Sequence, residues 1–360
     1  MADAPYRVMV VDDSAVIRGL VSRWIESDEA LKVVGSAGNG AMALQQVLRL
    51  KPEIVVLDIE MPQMDGLTAL PKLLALLPDL KVVMSSTLTL RNADISIKAL
   101  AAGAADYIPK PSSVREMQGA QNFQRELVEK LKAQGAAIRR RRKARAADPA
   151  IVAAARPEIV LRPAATQAPK IIAIASSTGG PQALFGLFGQ WKDRLRLPVV
   201  ITQHMPRTFT TILAEHIGRI SGAPCREAVA GEPVRPGQIY IAPGDWHLTV
   251  DAEGGHRVLG LNQEAQENYC RPAADPMLRS LARSYGPEVL ALVLTGMGQD
   301  GRRGAETIVA AGGTVLAQDE ASSVVWGMPG AVAQAGLCSA GLPLDEICVT
   351  IERMARGANP

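Results

Sequence analysis

Arg7-Val-Met-Val-Val-Asp-Asp-Ser14 decides how the N-terminal half is read. Arg7–Val11 is a short apolar run bounded by polar residues, the pattern of a buried parallel strand. It stops at two adjacent carboxylates, and beyond them Ile17, Leu20, Val21, Trp24 and Ile25 recur at helical spacing. Lys32–Gly35, Ile54–Leu57, Lys81–Met84 and Tyr107–Ile108 read as four more strands, with a helix over Gly40–Leu50. The alternation predicts a five-stranded, doubly wound α/β domain of flavodoxin-like order, with its site at the carboxyl ends of the strands.

Outward from this domain the sequence changes character. Gln121–Lys132 could continue a helix, with Phe123, Leu127 and Leu131 four apart. Arg139-Arg-Arg-Arg-Lys-Ala-Arg145 then runs into Ala- and Pro-rich sequence, so residues 113–169 are expected to be an exposed interdomain linker. A second α/β domain is expected over 170–360. Its strand signals are Ile171–Ala175, Pro198–Thr202, Gln238–Ala242 and Val289–Thr295, and a Gly-rich turn leads from the first into an apolar helix through Leu187.

Composition excludes several classes. Lys and Arg total 39 against 36 Asp and Glu, too even a balance to argue for nucleic acid. Four cysteines without CxxC spacing indicate neither a zinc knuckle nor a disulfide framework. No apolar run is long enough to cross a membrane and no signal peptide leads the chain, so a cytoplasmic location is expected. With no GxGxxG after a strand and no GxxxxGK[ST], no nucleotide cofactor is expected. His216, His247 and His256 are isolated and read as ordinary surface or core histidines.

The strand ends of the first domain carry its chemistry. Asp12 and Asp13 follow strand one and Asp58 follows strand three, so parallel neighbours bring three carboxylates together. Such a cluster repels itself unless a hard cation sits in it, and carboxylates plus water suit Mg²⁺. Ser86 closes strand four with a hydroxyl and Lys110 closes strand five with a cation. The set matches phosphoryl acceptance: Asp58 attacks, the metal neutralises charge, and Ser86 and Lys110 bind the phosphoryl oxygens. Val10-Val-Asp-Asp-Ser14, Leu57-Asp-Ile-Glu-Met-Pro-Gln-Met-Asp-Gly66 and Pro109-Lys-Pro111 closely resemble the receiver domain of two-component response regulators over about residues 5–112, so a receiver domain is expected over 1–112. The resemblance implies phosphorylation of Asp58 by a sensor histidine kinase. It also matches Tyr107 to an aromatic position that shifts with phosphorylation, although a partly buried core aromatic fits the sequence equally well.

Ser177 lies past a strand in a turn that opens a helix, where backbone N–H groups face an incoming anion. His204 and Asp300 follow two further strand ends, so a nucleophile, a base and its orienter are available. Gly296, Gly298 and Gly301 let the chain turn tightly around Asp300, and N–H groups near Thr178 or Met297 could form an oxyanion hole. On spacing alone Ser177 could equally be a helix cap, His204 a core histidine and Asp300 a turn residue. The order Ser…His…Asp also differs from that of the GxSxG hydrolases.

Ala175-Ser-Ser-Thr-Gly-Gly-Pro181, Thr202-Gln-His-Met-Pro206, Tyr240-Ile-Ala-Pro-Gly-Asp245, Leu294-Thr-Gly-Met-Gly-Gln-Asp-Gly301 and Val325-Trp-Gly-Met-Pro329 resemble the chemotaxis protein-glutamate methylesterases. The family joins a receiver to this domain. The resemblance implies Ser177 as nucleophile, His204 as base, Asp300 as orienter and Met297 as an oxyanion-hole donor. Ser176 adds a second hydroxyl where the family commonly has alanine. The implied activity is hydrolysis of glutamate 5-O-methyl esters on methyl-accepting chemoreceptors and deamidation of receptor glutamines. The receiver is expected to cover the cleft until Asp58 is phosphorylated, so that a fragment beginning near Lys170 would outpace the unphosphorylated chain. Two other readings are a non-catalytic signalling regulator and a DNA-binding response regulator, the latter weakened because no helix-turn-helix follows the basic run.

Overall fold

The structure, a computed structural model, describes residues 4–87, 89–110, 120–146, 159–191 and 196–357. The chain divides into two compact units, Met1–Arg156 and Pro157–Pro360. In the first, strands β1 (Tyr6–Val11), β2 (Leu31–Ala37), β3 (Ile54–Asp58), β4 (Lys81–Thr87) and β5 (Asp106–Lys110) alternate with helices α1 (Ala15–Glu26), α2 (Gly40–Leu50), α3 (Gly66–Leu76) and α4 (Leu90–Ala101). All neighbouring strands are parallel and the order is β2-β1-β3-β4-β5. The apolar residues of β1 and β3 are buried on both faces, which is why these strands read as unbroken apolar runs. Ser14, Asn39, Asp65 and Thr89 each accept a bond from the N–H three residues on, so side-chain caps fix the points where α1 to α4 begin.

The linker expectation is corrected over much of its length. Helix α5 runs Ala120–Ala146 and takes in the whole basic run. Leu127, Leu131 and Ile138 enter the core formed by β1, β3 and β4. Arg139 stacks on the Tyr6 ring at 4.1 Å and pairs with buried Glu53 at 3.1 Å. Burial opposes the charge of Glu53, but the bonds from Arg139 and the Arg7 N–H outweigh it and hold that carboxyl below its usual range. Gly135 is required in α5: a Cβ there would lie 2.4 Å from the Tyr6 ring. The basic run reads as a solvated linker because its partners lie about the length of the domain away in sequence. Residues 159–169 pack on the second unit instead, where the Arg162 N–H donates to Cys338 O and the Ala165 N–H to Thr314 Oγ1, both at 2.8 Å. The remainder of the expected linker, 113–119 and 147–158, lies outside the described residues.

The second unit is built on a seven-stranded parallel sheet, ordered β14-β13-β12-β6-β7-β9-β8. Its strands are β6 (Ile171–Ser176), β7 (Val199–Gln203), β8 (Cys225–Glu227), β9 (Ile239–Ile241), β12 (Val289–Val293), β13 (Thr314–Gln318) and β14 (Ala340–Leu342). Strands β10 (His247–Glu253) and β11 (His256–Asn262) form a separate antiparallel hairpin. This hairpin, β13 and the short edge strands β8 and β14 escaped the sequence reading; the hairpin buries Leu248, Val250 and Leu259 but intersperses them with polar residues. Strands β6 and β12 are paired centrally and wholly buried, so the residues that follow them emerge together at one edge of the sheet.

Candidate active site and phosphoacceptor site

In the first unit the register places the acidic cluster. Val11 pairs with Leu57 across β1 and β3, so Asp12 and Asp58 come next, side by side. Carboxylate oxygens of Asp12, Asp13 and Asp58 lie within 4.8 Å of one another. Thr87 pairs with Lys110, which brings the Lys110 ammonium to 2.5 Å from Asp12 Oδ2 and 2.7 Å from Asp58 Oδ1. Burial pushes the Asp58 carboxyl up to about 6; Lys110 opposes this and the charge of Asp12 adds to it. A hard-oxygen donor set with one carboxylate reluctant to ionise fits a divalent cation such as Mg²⁺. Ser86 is buried and shares a 3.0 Å hydrogen bond with Ser96 of α4. Tyr107 is buried too. The Lys130 ammonium of α5 donates to Tyr107 O at 2.7 Å, lies 4.9 Å from its ring centroid, and pairs with Asp106 and Glu126. Burial and the Glu126 and Asp106 charges push the Tyr107 phenol well above its ordinary range.

In the second unit Ser176 pairs with Gln203 across β6 and β7, so Ser177 and His204 leave adjacent strand ends. The Ser176 hydroxyl donates to Gln203 Oε1 at 2.7 Å and is fully buried. Gln203 Nε2 donates in turn to Ser177 O and His204 O, which ties the two strand ends together. Ser177 is half-buried, with its N–H donating to Thr295 O at 3.1 Å. The loop after β12 passes so close that a Cβ on Gly296 would lie 3.0 Å from Ser177 Cβ and 2.3 Å from Met328 Sδ. Gly327 and Met328 N–H groups both donate to Gly296 O, so the Val325–Pro329 segment braces this loop. Among the described residues, neither the Thr178 N–H nor the Met297 N–H has a hydrogen-bond partner.

His204 Nε2 lies 2.7 Å from Asp300 Oδ2. Asp300 is buried and also accepts from the Asn268 amide and from the Ala274, Asp275 and Gly301 N–H groups. Burial works against its charge, but the bond to His204 and these N–H groups hold it below the usual carboxylate range. Burial alone would depress His204. The bond to Asp300 leads the contacts that outweigh that and raise the imidazole. Cys270 Sγ lies 3.4 Å from His204 Nδ1. Among the described residues no hydrogen bond joins the Ser177 hydroxyl to His204. The site therefore brings His204 and Asp300 into contact and leaves Ser177 beside them.

Sequence reasoning missed Asn268, Cys270 and Asp275. Asn268 donates to both Asp275 Oδ2 and Asp300 Oδ1, and burial together with the Asp300 charge pushes Asp275 up to about 6. An asparagine in a loop ahead of a helix was the available signal, since asparagine tolerates the left-handed backbone it adopts here, at φ 51°.

These two units define an enzyme placed behind a phosphoacceptor domain, and known proteins agree with that class. The CheB methylesterase model matches residues 172–351 and the response regulator receiver domain model matches 8–122. The protein-glutamate methylesterase/protein-glutamine glutaminase 1 of Paramagnetospirillum magneticum is 57% identical over 97% of this chain and 96% of its own length. That of Azospirillum brasilense is 57% identical over 98% of this chain and 94% of its own. The crystal structure of the Thermotoga maritima CheB methylesterase catalytic domain is 38% identical with a TM-score of 0.50, covering 53% of this chain and all of that one. The chain belongs to the CheB methylesterase family, with a response-regulator receiver domain at its N-terminal end.

Proposed function

We propose that Ser177 is the nucleophile of a protein-glutamate methylesterase and protein-glutamine glutaminase acting on methyl-accepting chemoreceptors. The observation that carries this reading is the 2.7 Å contact between His204 and a buried, N–H-saturated Asp300, one strand end from the half-buried Ser177. Ser177 Oγ attacks the side-chain carbonyl carbon of the receptor residue and its proton passes to His204 Nδ1. The Thr178 and Met297 N–H groups receive the developing oxyanion. His204 then protonates the leaving group, methanol from an ester or ammonia from an amide. Water, activated by the same imidazole, releases the glutamate carboxylate and restores Ser177. Asp300 keeps the imidazole proton on Nε2 and stabilises the imidazolium.

Asp58 is the proposed phosphoacceptor, with a sensor histidine kinase as donor. Asp12, Asp13 and Asp58 would hold Mg²⁺, which when bound supplies positive charge beside the phosphoryl oxygens. Lys110 holds Asp58 in place and neutralises it, and Ser86 exchanges its bond to Ser96 for one to the phosphoryl group. No helix among the described residues is long and apolar enough to cross a membrane, which suits a cytoplasmic enzyme. The test is methanol release from methylated receptor membranes with and without a small-molecule phosphodonor and Mg²⁺. Stimulation that vanishes in Asp58→Asn supports the reading; equal stimulation in that variant contradicts it.

A further inference from the structure

Glu267 and Cys270 exchange backbone hydrogen bonds, at 3.2 and 2.9 Å, around Asn268 and Tyr269, whose φ angles are 51° and 62°. Two successive left-handed residues make a tight turn of the I′ kind. This turn reaches both partners of the proposed nucleophile: Asn268 donates to Asp300 at 2.9 Å, and Cys270 Sγ meets His204 Nδ1 at 3.4 Å. Since the Nε2 proton is committed to Asp300, Nδ1 carries the lone pair and the thiol S–H is the donor to it. Nδ1 is also the only ring nitrogen left to accept the Ser177 proton. The thiol and the serine hydroxyl therefore compete for one lone pair.

We propose that Cys270 is a positioning residue that keeps the catalytic base capped: its thiol occupies His204 Nδ1 and must be displaced by Ser177 before attack. The thiol is a weak donor and a hydroxyl a stronger one, so a substrate-aligned serine can win the exchange. The exchange is one of hydrogen bonds alone, and no covalent bond to sulfur is made or broken. The proposal rests on the Ser177–His204–Asp300 reading and adds to it the residue that sets when the base is available. The charged groups facing the imidazole are Asp300 and, behind it, Asp275; Glu267 is paired with Arg279.

The experiment is kcat/KM against pH for methanol release from methylated receptor membranes, using the full chain with saturating phosphodonor and Mg²⁺. Wild type, Cys270→Ala and Cys270→Ser are compared. Removing the cap should raise the plateau about two- to fivefold in Cys270→Ala and move its acid limb to higher pH, since a donor on the Nδ1 lone pair favours the neutral ring and its loss removes that preference. A hydroxyl caps Nδ1 more firmly, so Cys270→Ser should fall below wild type. The order Ala, Cys, Ser is the signature. A packing role would give the opposite order, with Ala slowest, and an unmoved acid limb; either finding overturns the proposal. Ser177→Ala, measured alongside, separates the two claims. If it is inactive while the order is reversed, the cap alone fails; if it is active, the triad reading fails.

Discussion

His204 presents Nε2 to Asp300 at 2.7 Å and Nδ1 to Cys270 at 3.4 Å. The ring is thus held at both nitrogens, and its position is set by the loop ahead of the Ala274–Tyr285 helix as much as by the strand that carries it. Asp300 lies at the N-terminus of that helix, accepting the Ala274 N–H at 2.6 Å, where a negative charge is stabilised.

The pH dependence follows with a definite sign. His204 works as a base only when neutral, and its contacts raise it above the ordinary 6.5. The acid limb of kcat/KM should therefore lie above pH 6.5. Asp300→Asn removes the charge that favours the imidazolium, so the limb should move down while the plateau falls by about 10³–10⁴ through loss of tautomer control. Initial rates of methanol release from about pH 5 to 10 check both. A limb that stays in place would show that Asp300 does not govern His204.

Asp58 is raised to about 6, so its ionisation costs stability. The sign is that of any group raised on folding: its contribution is fully present below the unfolded value near 3.8 and is lost as pH rises through about 6. Asp58→Asn should stabilise the first unit at pH 8 by about 1–3 kcal/mol in metal-free buffer, with little difference near pH 3.5. Mg²⁺ should shrink the gain, since it binds the wild-type carboxylates preferentially. Urea unfolding at the two pH values, with and without Mg²⁺, measures this.

Lys130 joins α5 to the sheet through buried Asp106. Lys130→Met keeps the aliphatic stem but strands a buried carboxylate, and should cost about 3–5 kcal/mol at neutral pH. Asp106 is already raised by burial, against the pull of Lys130. In the variant it would protonate more readily still, so the deficit should narrow as pH falls towards 5. Urea midpoints across that range are the readout, and a constant deficit would assign the loss to packing.

The parallel strands and their terminal carboxylates were legible because buried parallel strands are short apolar runs and the residues after them form the site. Asp12, Asp58, Lys110, Ser177, His204 and Asp300 all carry that local mark. The basic second half of helix α5 did not: Arg139 looks solvated until Glu53 and Tyr6 fold beside it. The Asn268–Cys270 turn was illegible for a similar reason, since its bonds reach His204 and Asp300, about 66 and 32 residues away in sequence. Ser176 shows the converse. Its side chain is chemically identical to that of Ser177, and its full burial and bond to Gln203 set the two apart.

That distinction gives the most direct measurement of the central claim: methanol release from methylated receptor membranes by Ser177→Ala and Ser176→Ala, compared at equal concentration with phosphodonor present. The account predicts that Ser177→Ala loses about 10⁴–10⁶ in turnover, while Ser176→Ala, which gives up one buried hydrogen bond, stays within about tenfold of wild type. An active Ser177→Ala enzyme beside an inactive Ser176→Ala enzyme would contradict it.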